Sequence, residues 1–140
     1  FLGCIYRDMK EAPKAMQCYQ DAVESVDTLS KDCDFNSLKR IYGQMADVFM
    51  KQNLFQEAQI ALQKYITYAL KEKDTLNYII GSERFIPIFS AMGDTAKAIA
   101  QTKLCTRLYE KYHYHQKAIA VCVTLIEFYL DRHHIKKLII

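Results

Sequence analysis

The sequence predicts an all-α fold, an α-solenoid built from antiparallel helix pairs. Only four glycines and two prolines interrupt its 140 residues, and neither strand-like alternation nor a tight hairpin turn occurs. Apolar residues instead recur every three or four positions, as they do on amphipathic helices. The pattern also recurs when the sequence is shifted by forty residues, so that Met45, Phe85 and Leu125 align. Such a period is typical of stacked helical repeats.

The first unit, residues 1–29, contains the stretch "EAPKAMQCYQDA". Its Ala15, Tyr19 and Ala22 are four and three residues apart and share one side of an α-helix. A face that alternates methyl groups with an aromatic ring fits only where another helix comes very close. We therefore expect tight helix–helix packing here, followed by a longer connector around "SKDCDFNS".

The second unit, residues 36–72, reads as two helices joined by a turn. An apolar stripe marks the first helix: Leu38, Ile41, Tyr42, Met45 and Phe49. Asn53 is expected to be the turn residue and N-cap. The second helix follows with its own stripe: Phe55, Ala58, Leu62, Tyr65 and Ala69.

The units at residues 75–112 and 115–140 follow the same pattern. Gly93 and His133 align with the turn residue Asn53. Pro87 lies inside a helix, where it lacks an N–H group and clashes with the carbonyl of Glu83, so we expect a kink. Gly81 should make the same helix pliable. The kink either lets a groove adapt to its ligand or is merely tolerated.

The first unit resembles a tetratricopeptide repeat. The resemblance rests on six residues: Leu2, Gly3, Tyr6, Ala15, Tyr19 and Ala22. It weakens along the chain, since Thr102 and Cys105 replace an aromatic residue and an alanine. The forty-residue spacing exceeds the family's usual 34, and such long-helix variants are similar to segments of bacterial regulatory proteins. The resemblance implies a right-handed superhelix and a protein-binding role.

In proteins of this family the first helices line a concave, partner-binding groove. The resemblance therefore assigns one set of candidate ligand-binding residues: Arg40, Gln44, Asp47, Lys51, Ile80, Arg84, Pro87, Ala91, Ala120, Thr124, Glu127 and Asp131. Arg84 is the strongest candidate, because its guanidinium can hold a carboxylate through two hydrogen bonds. Relatives that clamp a partner's C-terminal carboxylate use Lys, Asn and Arg at five positions. Three of those positions hold Cys4, Gln44 and Ile80 here, so no such clamp is expected. The alternative for each residue is a solvated helix face.

Several other classes of function are not expected. The net charge of +3 is mixed along the chain and predicts no nucleic-acid binding. No phosphate loop or hydrolase motif occurs, so we expect no enzyme and no cofactor. The pairs His113/His115 and His133/His134 lie at opposite ends of a predicted helix and cannot share a metal ion. The longest apolar run is too short to span a membrane.

We expect an interaction module of a larger regulatory or signalling protein, of bacterial type, that binds a protein or peptide. The alternative is a structural spacer or oligomerisation segment without a specific ligand. The sequence starts and stops within apolar segments, which predicts a fragment that self-associates through its ends, in particular through "IKKLII". Five dispersed cysteines favour the cytoplasm; a periplasmic sensor segment is the alternative.

Overall fold

A computed structural model of the chain describes residues 12–25 and 34–139, and these residues form α-helices without a strand. The helices are α1 (Ala12–Glu24), α2 (Phe35–Lys51), α3 (Phe55–Lys71), α4 (Thr75–Glu83), α5 (Phe85–Ala91), α6 (Thr95–Lys111) and α7 (His115–Ile139). The all-α prediction is confirmed. Two compact units divide the chain, residues 1–81 and 82–140. The handedness of the superhelix stays a prediction.

The helix junctions repeat every twenty residues with one geometry. Asn53, Lys73, Gly93 and His113 have φ values of 60°, 55°, 77° and 65°. After each of them, the next N–H donates to the carbonyl five residues earlier at 2.8–2.9 Å. This 6→1 bond is that of a Schellman motif, which satisfies carbonyls at the helix end and reverses the chain. The helices on either side of each junction therefore run antiparallel to each other.

The helix starts depend on aspartate more than on asparagine. The carboxylates of Asp34 and Asp94 accept the N–H groups of Ser37 and Lys97 at 3.1 Å, as N-caps do. Asn53 is instead the left-handed turn residue, and Leu54 takes the N-cap position without a side-chain bond. The prediction of Asn53 as a turn residue is thus confirmed, and its assignment as an N-cap is wrong.

In the unit of residues 1–81, small residues allow the helices to pack closely. Ala58 and Ala69 on α3 are fully buried, as is Leu38 on α2, and these two helices pack along each other. Ala15 and Tyr19 on α1 are also fully buried, as their spacing predicted. Ala22 is only half-buried.

Close approach also explains Gly81. A Cβ atom there would lie 2.7 Å from Tyr65 Cδ1 and 3.0 Å from Ile66 Cγ1. Real Cβ atoms do not come that close to a ring carbon, so a larger residue would force the Tyr65 and Ile66 side chains to shift. Gly81 thus has a packing role, and the pliability of its helix stays a prediction.

The predicted kink lies where Pro87 requires it. Helix α4 ends at Glu83, and α5 begins at Phe85. In the unit of residues 82–140, Gln101 Nε2 donates to the Ser82 carbonyl at 2.7 Å. A side chain of α6 thus supplies a donor where the backbone ladder is interrupted.

Helix α6 is the centre of this second unit. Ala98, Thr102, Cys105 and Tyr109 of α6 are all fully buried. Helix α7 packs on α6 and buries Ala118 and Val121. It then continues through His133 to Ile139, although the sequence register predicted a turn at His133. None of the helices within the described residues is long and apolar enough to cross a membrane.

Candidate functional site

The polar face of α2 carries a pocket in the first compact unit. Its volume is about 250 Å³, and the described residues that line it are Ser37, Arg40, Ile41 and Gln44. These positions are three or four residues apart on α2, so the described part of the lining comes from one side of that helix. Of the predicted groove residues, Arg40 and Gln44 are thus brought together. Asp47 and Lys51 lie further along α2, half-buried and exposed, respectively.

The pocket combines hydrogen-bonding side chains with one apolar side chain. Arg40 is exposed, whereas Ile41 is buried. The Ser37 hydroxyl donates to Asp34 Oδ2 at 2.5 Å. This bond, with that from the Ser37 N–H and the nearby charge of Arg40, lowers the pKa of Asp34 below its usual value. The pocket therefore offers a guanidinium, an amide and a hydroxyl to a polar ligand.

The remaining candidates are distributed along three helices. Ile80 is half-buried on α4 in the first unit. In the second unit, Arg84 lies in the kink between α4 and α5, half-buried, and Pro87 is exposed on α5. On α7, Thr124 is half-buried, while Glu127 and Asp131 are exposed.

One polar cluster of the first unit does not follow from the sequence pattern. Lys39 as a whole residue is only 4% exposed, and its ammonium donates to Asp74 Oδ2 at 2.8 Å. Asn77 donates to the same carboxylate through Nδ2 at 2.6 Å and through its N–H at 3.1 Å, and Tyr65 donates to Asn77 Oδ1 at 3.0 Å. Hydrogen bonds from Asn77 and Lys39 lower the pKa of Asp74 to about 2. The cluster joins α2, α3 and α4.

The second unit has a polar contact of its own beside the kink. The hydroxyl of Tyr109 donates to Glu83 Oε2 at 2.5 Å. Burial raises the pKa of Tyr109, and the bond to Glu83 raises it further. Burial, with the nearby Glu83 charge, also raises the pKa of Cys105 to about 12. A thiol in this state is a poor nucleophile, and the Tyr109–Glu83 bond joins α6 to the end of α4.

An apolar groove, also absent from the sequence prediction, follows the junction of α2 and α3. Its volume is about 240 Å³, and its described lining comprises Tyr42, Met45, Phe49, Glu57, Ile60, Ala61 and Lys64. Tyr68 stacks between Phe35 and Tyr42, with ring centroids 5.7 and 5.8 Å away. Lys64 and Lys71 lie within 6 Å of these rings. The stacked rings hold α2 and α3 in register.

The histidines do not assemble a metal site in the described part of the chain. The rings of His113 and His115 are 5.9 Å apart at the α6–α7 turn. No group of three potential ligands forms among the described residues. His133 and His134 lie within α7.

Comparison with known proteins identifies the first repeat. Residues 1–25 match the family model for the tetratricopeptide repeat, which confirms that resemblance on the segment that includes α1. No curated protein matches the sequence significantly. Tetratricopeptide repeats generally mediate protein–protein interaction and form a non-catalytic module.

Proposed function

We propose that this chain, which carries a tetratricopeptide repeat, binds a protein or peptide through the polar face of its first helices. The observation that carries the proposal is the pocket on α2. It lies on the face that the repeat register assigned to partner binding, and it contains Arg40 and Gln44. A pocket that combines a few polar groups with an apolar contact is the usual starting hypothesis for a binding site.

The pocket favours an extended peptide with an acidic group. The Arg40 guanidinium can hold a carboxylate through two parallel hydrogen bonds. Gln44 can donate to and accept from peptide groups, and the Ser37 hydroxyl, which donates to Asp34, can accept from them. The buried Ile41 provides an apolar contact beside them. In the second unit, Arg84 offers a further guanidinium, next to the exposed Pro87.

The proposed biological role of the chain is regulatory and non-enzymatic. The similarity of long-helix repeats to segments of bacterial regulatory proteins supports a regulatory or signalling role. The mixed charge of the chain argues against nucleic acid as the partner. The lack of any sequence motif for catalysis supports a non-enzymatic module. A spacer or oligomerisation segment is the competing function, favoured by the exposed apolar residues of α7.

The test is selection from a displayed peptide library, followed by titration of the selected peptides. Arg40→Ala should weaken binding at least about tenfold, which is about 1.4 kcal/mol, because a charge-assisted bidentate contact is lost. Arg107→Ala is the matched control, since Arg107 is also an exposed helical arginine. Arg84→Ala, with Lys103→Ala as its control, tests the second unit. If Arg40→Ala and Arg107→Ala bind the peptide equally well and both keep their helicity, the α2 pocket is not the binding site, and the spacer function is favoured.

A further inference from the structure

Helices α2 and α3 share an aromatic surface that carries two lysines. Tyr68 stacks between Phe35 and Tyr42, and all three rings are half-buried. The Lys71 ammonium lies 5.1 Å from the centre of the Phe35 ring, and the Lys64 ammonium lies 5.6 Å from the centre of the Tyr42 ring. Both lysines are exposed. We call these five residues the aromatic–basic face. It continues into the apolar groove between α2 and α3, whose described lining includes Tyr42 and Lys64.

The pairing of two helices in a repeat does not require this chemistry. Forty residues further along the sequence, Leu104 corresponds to Lys64 and Leu108 to Tyr68. Helix α5 nevertheless packs on α6, as α2 packs on α3. The aromatic–basic face is thus a feature of this one unit and not of the repeat.

The exposed groups of α3 follow one another in a fixed order along this face. Lys64 and Lys71 are seven residues, or about 10.5 Å, apart on one side of the helix. Ile60 lies four residues before Lys64 and is 62% exposed. Glu57, which also lines the groove, lies seven residues before Lys64. A complementary partner therefore places two acidic groups about 10.5 Å apart at the lysine end and an apolar group at the groove.

This spacing selects an α-helix over an extended peptide. Residues seven positions apart on a helix share one face and lie about 10.5 Å from each other. Side chains of a strand alternate between two faces, so those of one face are about 6.6 or about 13 Å apart. Neither distance matches that between the two lysines. An amphipathic helix can also place its apolar side chains in a groove between two helices.

We propose that the aromatic–basic face and its groove bind an acidic amphipathic helix of a partner protein. Two carboxylates of that helix, seven residues apart, contact Lys64 and Lys71, and an apolar side chain enters the groove beside Ile60. The rings hold both lysines at this face before the partner arrives, which lowers the entropic cost of binding. Arg40 and Tyr42 are about 160° apart around α2, so this site is separate from the peptide-binding face proposed on α2.

The test uses the full 140-residue chain and a fluorescein-labelled, alanine-rich peptide of about 16 residues, which spans four helical turns. The peptide carries two glutamates seven positions apart and a leucine four positions beyond each, all on one face. Fluorescence polarisation should give a Kd of about 100 μM or tighter. A peptide of the same composition with both glutamates on the opposite face should bind at least about tenfold more weakly.

Variants of the chain locate the site. Lys64→Glu should weaken binding at least about tenfold, because repulsion replaces attraction. Lys103→Glu is the matched control, since Lys103 is exposed on α6 and its ammonium also lies over a tyrosine, 5.8 Å from the centre of the Tyr129 ring. Arg40→Ala should bind this peptide as the wild type does, which separates the site from the α2 pocket. Circular dichroism checks that each variant folds, and Lys71→Glu replaces Lys64→Glu if that variant does not.

A charge exchange tests the contact itself. The Lys64→Glu/Lys71→Glu variant should bind a peptide in which lysines replace both glutamates, and the wild type should not. No binding of the acidic peptide at about 1 mM, equal binding of the two glutamate peptides, or equal losses in Lys64→Glu and Lys103→Glu would each overturn the proposal. Binding to phosphatidylserine vesicles that Lys64→Glu abolishes, without any binding of the peptide, would assign the face to a membrane and overturn it as well.

Discussion

The ion pair between Lys39 and Asp74 gives the sharpest prediction about stability, because its two ends are unequally buried. The Lys39 side chain is 5% exposed and that of Asp74 is 30% exposed. If Asp74 is replaced by alanine, the ammonium stays buried without its carboxylate. Breaking a buried pair in this way costs about 3–5 kcal/mol. Since water reaches the Asp74 end, we expect a loss of about 3 kcal/mol, near the lower limit of that range.

The converse change should cost far less. Lys39→Met leaves an apolar chain of similar length in an apolar site, and Ile79 is fully buried at the corresponding position of the next unit. Asp74 keeps both of its bonds from Asn77 and its contact with water. The expected change in the free energy of unfolding is within about 1 kcal/mol.

Urea unfolding followed by circular dichroism measures both changes. Asp74→Asn is the control, because asparagine keeps one neutral oxygen, which can accept from either the Asn77 N–H or the Lys39 ammonium but does not replace both carboxylate oxygens. It should fall between the other two variants. If Lys39→Met destabilises the chain as much as Asp74→Ala does, burial of an unpaired ammonium is not what makes Asp74→Ala destabilising, and the prediction is wrong.

Three further predictions concern packing and pH. Gly81→Ala should lower the free energy of unfolding by about 1–2 kcal/mol, since the clash with the Tyr65 ring outweighs the ~1 kcal/mol gain in helix propensity. Thermal melting measures this, and a higher melting temperature would contradict the prediction. Ala58→Leu should cost about 1–3 kcal/mol through overpacking, whereas Ala100→Leu at an exposed site should be nearly neutral; equal melting of both would disprove the repeat register. Because the pKa of Asp74 is lowered, its contribution to stability is complete above pH 4 and is lost as the pH falls towards about 2. Asp74→Asn should therefore flatten that part of the curve of unfolding free energy against pH. An unchanged curve would contradict this role of Asp74.

Much of the fold could be predicted from local pattern. The spacing of Ala15 and Tyr19 predicted a close helix contact, and both are fully buried. Pro87 predicted the break after Glu83, because a missing N–H group and a clash act within one turn. These features depend on residues that are neighbours in the sequence. The α2 face with Arg40 and Gln44 could be predicted for the same reason, since helical spacing alone places them together.

The sequence by itself therefore determined the residues that share each helix face and most of the helices, although not the continuation of α7 through His133. Only the tertiary structure decided what those faces meet. Lys39 lies within an amphipathic helix, and its burial depends on Asp74, which is thirty-five residues away. The absence of a side chain at Gly81 is required by the Tyr65 ring that packs against it, and Tyr65 is on a different helix. The exposure of Ile119 and Ile126 likewise depends on which helix is beside them, because burial is a property of packed surfaces and not of helical period.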